Sequence, residues 1–284
     1  MSFPSTIALF SYKNSNNLDD FIQTVAAAQY WYMYLYRKGE YSNSFEEFLY
    51  DAVTKKRVGT IVIQWIDKDD IFLYTGPPCT LIMNGSWSQF PPSGLIKPII
   101  LSFSLGIDTL DTLTCEALRK AGPIGCRDKH TQFILELHNV QCYFSGCITS
   151  IVEPKYYMYH SIFSKSSPSE SLISLVNDVD LPETPSTITN VYSGDLLNSI
   201  SRAYERLYLY SHSTGQLITS NLFSFIAAKS FSLHAQLFEP DGTPLIKNKN
   251  GAWKYTHFLG LVDEAEIAIG PMRKRILDAL DAAT

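Results

Sequence analysis

Apolar positions in this chain fall into two rhythms, short continuous runs and longer stretches that return every three or four residues. The first run, Thr6-Ile-Ala-Leu-Phe10, predicts a short buried strand. The polar turn Lys13-Asn-Ser-Asn-Asn-Leu-Asp-Asp20 follows, and then an Ala- and aromatic-rich stretch that predicts a helix over 21–36, with Asp19 and Asp20 offering capping oxygens. Strands are expected at 59–66, 80–83 and 98–103, with a Trp- and Pro-rich loop at 84–92. Residues 108–120 have helical spacing, and 122–128 lead into a helix over 129–138 and a strand over 141–144. The segment 154–185 is rich in Ser, Tyr and Pro. Beyond its start the alternation resumes, with a strand near 172–179, a helix over 194–210, a strand over 216–220, a helix over 222–231 and a strand over 235–238. A loop at 241–251 precedes an amphipathic helix at 263–282 that carries Arg273, Lys274 and Arg275.

Alternating strands and helices in two halves predict an α/β protein of two Rossmann-like domains facing each other across a cleft, in a GT-B-like arrangement. The crossing is placed in 154–185. The expected division is 1–155, 156–262, and a C-terminal helix over 263–284 that returns to the first domain. Such sheets bind ligands beyond the carboxyl ends of their strands. That directs attention to the loops 13–20, 84–92, 122–128, 145–149 and 220–224.

Composition narrows the function classes. The net charge is −5 and no Lys/Arg run is longer than Lys55-Lys56-Arg57, so the basic face that a nucleic acid requires is not expected. Five cysteines, an odd number with no CxxC, indicate reduced thiols rather than a disulfide framework. The N-terminal residues show no signal pattern, and the most membrane-like stretch, 30–36, is far short of the ~20 apolar residues of a spanning helix. A cytoplasmic protein without a transmembrane segment is expected, with a position at the inner face of the membrane as a further option. The six histidines lack metal-ligand spacing, and no metal or resident cofactor is expected.

The loops at the predicted carboxyl ends carry a resemblance. Asn17-Leu18-Asp19-Asp20 followed by Gln23 resembles the N-x-G-D-x-x-Q opening of the polysaccharide pyruvyltransferases, with Asp19 at the Gly place. Asn84-Gly85-Ser86-Trp87 is similar to their Asn-Gly-Trp segment and is followed by Phe90-Pro91-Pro92-Ser93; Ile99-Ile-Leu-Ser-Phe103 resembles the next strand. Gly122-Pro-Ile-Gly-Cys-Arg-Asp128, then Thr131, then Ser145-Gly146-Cys147-Ile148-Thr149 are similar to G-P-I-G-x-R-D, Thr and S-G-C-x-T. The likeness runs in order from residue 6 to about 262. It implies transfer of a pyruvyl group from phosphoenolpyruvate, as co-substrate, to a sugar or glycan acceptor, with the acceptor side in the first domain and the donor side in the second.

The resemblance implies that Arg127 grips the donor carboxylate or phosphate, with Gly125 beside it; pairing of Arg127 with Asp128 or another acid, to hold the domain together, is the structural alternative. Asn17 and Asp20 are candidates for ordering the cleft or touching acceptor, against plain helix capping. Asn84 is placed in the cleft with them. Trp87 and Phe90 are candidates for stacking on a sugar, against packing on the core. Ser145 and Cys147 line the cleft in this reading, although no histidine spacing makes Cys147 a nucleophile. The donor loop departs from the family's S-R-L-H: in Ser220-Asn221-Leu222-Phe223-Ser224, Asn221 stands at the Arg place and Phe223 at the His place. Asn offers no charged fork and Phe no proton. Each lost charge-assisted contact costs roughly 1.5–3 kcal/mol, and a lost general acid about 10²–10⁴ in rate. Lys229 and His234 are the residues considered as compensation. A non-catalytic binding protein on the same fold, and a nucleotide-sugar glycosyltransferase, are the competing expectations.

Overall fold

The computed structural model describes residues 5–87, 90–106, 109–158, 162–163, 175–177, 187–188, 194–213, 216–238, 274 and 277–282. Strand β1 (Thr6–Ser11) sends Ile7 and Leu9 to one face and Ala8 and Phe10 to the other, and all four are buried. Both faces of a parallel sheet are covered, which is why such a strand reads as an unbroken apolar run. Strand β2 (Arg57–Val58) is an antiparallel edge on β3 (Ile61–Asp67), which is parallel to β1. On the other flank of β1 come β4 (Cys79–Trp87), β5 (Ile96–Leu105), β6 (Ile124–Cys126) and β7 (Cys142–Phe144), all parallel. The seven-stranded order is β2-β3-β1-β4-β5-β6-β7. The chain winds outward from β1 to β3 and then returns to the opposite flank at β4, so the winding reverses between β1 and β4. Open α/β sheets bind ligands at such a reversal.

The sheet is mostly parallel with helices on both faces, as expected of a Rossmann-like α/β protein. Helices α3 (Thr112–Ala121) and α4 (Lys129–Leu137) cover one face. Helix α1 (Leu18–Arg37) covers the other, and between residues 18 and 35 only Asp20 escapes burial. A helix buried all round must be covered on its far side too. That cover is α2 (Phe45–Thr54) and α5 (Leu196–His212), which share one hydrophobic core with α1 and with α6 (Leu222–Ser230). Helix α2 was not anticipated from the apolar spacing; Ser44 and Glu47 start it with a reciprocal capping box. A second sheet, all parallel, has the order β11-β10-β8-β9, formed by β8 (Leu175–Asn177), β9 (Thr187–Ile188), β10 (Gln216–Thr219) and β11 (His234–Leu237).

Two expectations change. The loop placed at 84–92 begins later, because β4 runs on through Asn84-Gly85-Ser86 to Trp87. Gly85 takes φ +87°, which lets the strand continue past an irregularity, while opposite it β5 accommodates one extra residue at Ser102, with φ +55°. Most of the C-terminal helix placed at 263–282 lies outside the described residues, as do the loop at 241–251 and most of the crossing at 154–185. Residues 277–282 are helical and return to α1: Leu280 is buried in the shared core, and Asp281 pairs with Arg37 at 2.6 Å and Lys38 at 3.2 Å.

Candidate functional site

The carboxyl ends of β4, β5 and β6 bring three motif segments together. Arg127 leaves β6 with its backbone N–H bonded to Phe103 O at 2.7 Å. The next residue, Asp128, caps α4 by accepting from Thr131 N at 2.7 Å, and also accepts from Ser104 Oγ at 2.8 Å. Backbone and neighbour are thus both fixed, and the guanidinium is aimed across β5 to β4. There Nη2 donates to the exposed Ser86 Oγ at 2.7 Å. Only 3% of Arg127 is exposed, and its guanidinium carbon lies 5.6 Å from the centre of the Phe223 ring, a cation–π contact from the start of α6. Arg127 therefore lies between the end of β4 and the second sheet's helix.

A second cation approaches from the other flank. At the end of β3, Asp67 accepts from Lys13 N at 2.7 Å and Asp69 N at 3.1 Å, opening a 3-10 turn, Lys68–Leu73. The half-buried Lys68 reaches over the Trp87 ring, with Nζ 4.9 Å from its centre. Burial holds Lys68 below the usual lysine range; the Arg127 charge adds to this, while Asp20 and Asp69 oppose it. A Cβ on Gly85 would come 3.3 Å from Lys68 Nζ. Trp87 itself is core: its Nε1 donates to Asn84 O at 3.0 Å, and its ring packs beside Phe10 and Phe72. The expected sugar-stacking ring is buried, with one face given to Lys68.

The starts of α1 and α6 lie beside these strand ends. Asn17 caps α1 through Asp19 N at 3.1 Å, and Asp20 accepts from Ser15 Oγ at 2.5 Å. One turn on, Gln23 Oε1 meets the buried Asn84 Nδ2 at 3.5 Å, so the opening motif and the Asn-Gly motif touch. Asp19 is wholly buried. Its Oδ1 accepts from Ser224 Oγ at 3.1 Å and its Oδ2 has no hydrogen-bond partner. Burial pushes its carboxyl from 3.8 up to about 7, against the opposing pull of the Ser224 bond and the Arg206 charge. Asn221 caps α6, its Oδ1 accepting from Phe223 N at 2.9 Å and Ser224 N at 3.3 Å. The three residues that depart from the expected motifs, Asp19, Asn221 and Phe223, thus sit at one junction, where Ser224 ties Asp19 to the start of α6 and Phe223 shelves Arg127.

Other candidates are placed elsewhere or have structural duties. Gly125 is needed for close packing, since a Cβ there would lie 2.9 Å from Ser145 Cβ and Oγ. Ser145 Oγ accepts from Ser102 N at 3.0 Å and donates to Cys126 O at 3.1 Å, pinning the β5 irregularity. Cys147 is buried, with Sγ 3.0 Å from Thr149 Oγ1, at the start of a 3-10 turn. Lys229 lies in the last turn of α6, roughly 9 Å along the axis from Phe223 at 1.5 Å per residue. His234 is exposed at the amino end of β11, whereas α6 starts beyond the carboxyl end of the neighbouring parallel β10. Neither is positioned to replace the altered loop. A separate groove of about 570 Å³ between Pro91, Pro92 and Leu113 is lined by Phe90 and by none of the other expected site residues. Among the described residues no group of three His, Cys, Asp or Glu side chains is arranged to hold a metal ion, and no helix is long and apolar enough to cross a membrane.

Lys68 and Ser224 were not anticipated as site residues, and Asp19 was read only as a cap and a departure from the motif. For Lys68 a signal existed, because Asp67-Lys-Asp-Asp70 directly follows a predicted strand and so lies at its carboxyl end. No protein-family model matches the chain, and neither a curated protein nor a solved structure matches it.

Proposed function

We propose that the residues gathered at the carboxyl ends of β4 and β6 bind a small anionic donor through Arg127, and that the chain is a divergent polysaccharide pyruvyltransferase-like protein. In this reading the seven- and four-stranded sheets are the two halves of a GT-B-like arrangement, with phosphoenolpyruvate or a related anion as donor and a sugar as acceptor. The supporting observation is the Arg127 guanidinium, anchored by its backbone at the end of β6 and reaching the exposed Ser86 hydroxyl beside the winding reversal. A fixed guanidinium of this kind suits carboxylate or phosphate oxygens.

Ketal formation adds a proton to the enol methylene carbon and forms two bonds from sugar oxygens to the neighbouring carbon, whose bond to phosphate breaks. One hydroxyl proton balances the methyl group formed and the other leaves with phosphate. Phe223 supplies no proton. A second reading, a binding protein without turnover, is favoured by the structural work of the altered residues: Asn221 caps α6 and Phe223 packs on Arg127.

Thermal shift tests the anion site. Phosphoenolpyruvate is expected to raise the melting temperature of the wild type but not of Arg127→Ala. Stabilisation by a nucleotide sugar alone would favour a glycosyltransferase, and no shift with any anion would refute the site. Phosphate release in the presence of pyranosides separates turnover from binding alone.

A further inference from the structure

We propose that Lys68 is the phosphate position of this site, so that Lys68 and Arg127 together, both presented by the seven-stranded sheet, receive one small ligand carrying a phosphate and a carboxylate. The identity of that ligand as phosphoenolpyruvate rests on the reading above; the phosphate position does not.

Topology places the two cations on opposite sides of the winding reversal, Lys68 after β3 and Arg127 after β6, with the end of β4 between them. Burial disfavours protonation of Lys68; the Asp20 charge favours it, and the Arg127 charge opposes it less strongly than Asp20 supports it. Both cations reach the same strand end, since Arg127 Nη2 meets Ser86 Oγ at 2.7 Å and Lys68 Nζ lies over the ring of the next residue, Trp87; a ligand with two acidic groups suits cations so placed. Within the described residues no ion pair involves Lys68; its ammonium is met by the face of Trp87. Gly85 lies against that ammonium, where its φ of +87° favours glycine and a Cβ would come 3.3 Å from Nζ. The division of ligand groups follows from side-chain chemistry. The planar guanidinium fork matches a carboxylate, whereas the ammonium is a point charge with three rotatable donors that suits a phosphate oxygen. Lys68 thereby returns from the first sheet the positive charge that Asn221 does not provide from the second.

Calorimetric titration with phosphoenolpyruvate, inorganic phosphate and pyruvate distinguishes the groups, using the wild type, Lys68→Met and Lys68→Arg. Met keeps the length and half-buried stem, and thermal melts establish that each variant is folded. Lys68→Met is expected to weaken phosphoenolpyruvate and phosphate roughly tenfold or more, the loss of one charge-assisted contact, while leaving pyruvate binding unchanged. Lys68→Arg is expected to recover part of the phosphate affinity. Wild-type affinity for phosphate and phosphoenolpyruvate in Lys68→Met overturns the proposal, as does equal weakening of all three ligands. Absence of wild-type binding of both phosphate-bearing ligands at millimolar concentration also overturns it. Phosphate binding that needs Lys68 without any phosphoenolpyruvate binding upholds the phosphate position and removes the donor reading. Phosphoenolpyruvate binding that needs Arg127 but is indifferent to Lys68 does the reverse.

Discussion

Replacing Asp19 by Asn is expected to make the protein more stable at pH 8 and to flatten its stability against pH. The Asp19 carboxyl is wholly buried where α1 meets α6, with one oxygen bonded by Ser224 and the other without a hydrogen-bond partner. Burial pushes it from 3.8 up to about 7 despite the Arg206 charge. In the unfolded chain the same group ionises near the ordinary value, so between pH 4 and 7 the folded state binds more protons than the unfolded one. Stability from this group is therefore complete below about pH 4 and declines as pH rises to about 7. At about 1.4 kcal/mol per tenfold change in proton affinity, the decline amounts to at most about 4 kcal/mol. The α1 N-terminus, which favours a negative charge by ~0.3–1 kcal/mol, reduces it. The substituted amide has nearly the same shape as the carboxyl and never ionises, so the Asp19→Asn variant lacks this decline. Urea denaturation of both proteins at intervals from pH 4.5 to 8 measures the effect. The midpoints should lie close together at the acid end and separate in favour of the variant above pH 7. Parallel pH profiles, or a variant less stable at pH 8, would refute a neutral buried carboxyl at this junction.

Two further outcomes test the frame around the site. Gly125→Ala places a Cβ 2.9 Å from Ser145 Cβ and Oγ and 3.2 Å from Leu101 Cδ2, so chemical denaturation should show a loss of ~1–3 kcal/mol; unchanged stability would mean that Gly125 serves something other than packing. Asn221→Ala removes the oxygen that accepts from Phe223 N and Ser224 N and should cost ~0.5–2 kcal/mol in the same assay. No loss would mean that α6 is held by its core contacts alone.

Several parts of this architecture can be read from local pattern. The run at residues 6–10, the polar turn after it and the apolar spacing of 21–36 correspond to β1, the loop and α1, because strand and helix periods are properties of neighbouring residues. The Arg127 turn is equally legible, since Ile124-Gly-Cys, Arg127 and the capping Asp128 lie within five positions. Asn84-Gly85-Ser86 misleads for the same reason. Its composition is that of a turn, whereas pairing with β5 keeps it in the strand. Helix α2 carries its start signal in Ser44 and Glu47, yet its place in the core depends on α5, well over a hundred residues away.

What the amino-acid order determined by itself was the alternation of elements, the parallel α/β class and the turn that presents Arg127. What only the tertiary structure decided was the chemical character of the side chains gathered there. Lys68 lies in the acidic stretch Asp67-Lys-Asp-Asp70, and its ammonium meets the Trp87 ring only because the sheet order brings the ends of β3 and β4 to the same side. Asp19 reads as a helix-capping acid, and becomes a carboxyl poised near neutrality because Ser224, 205 residues later, closes over it. Periodicity is set over a few residues, whereas desolvation and the distance between charges depend on which distant segments the fold brings into contact.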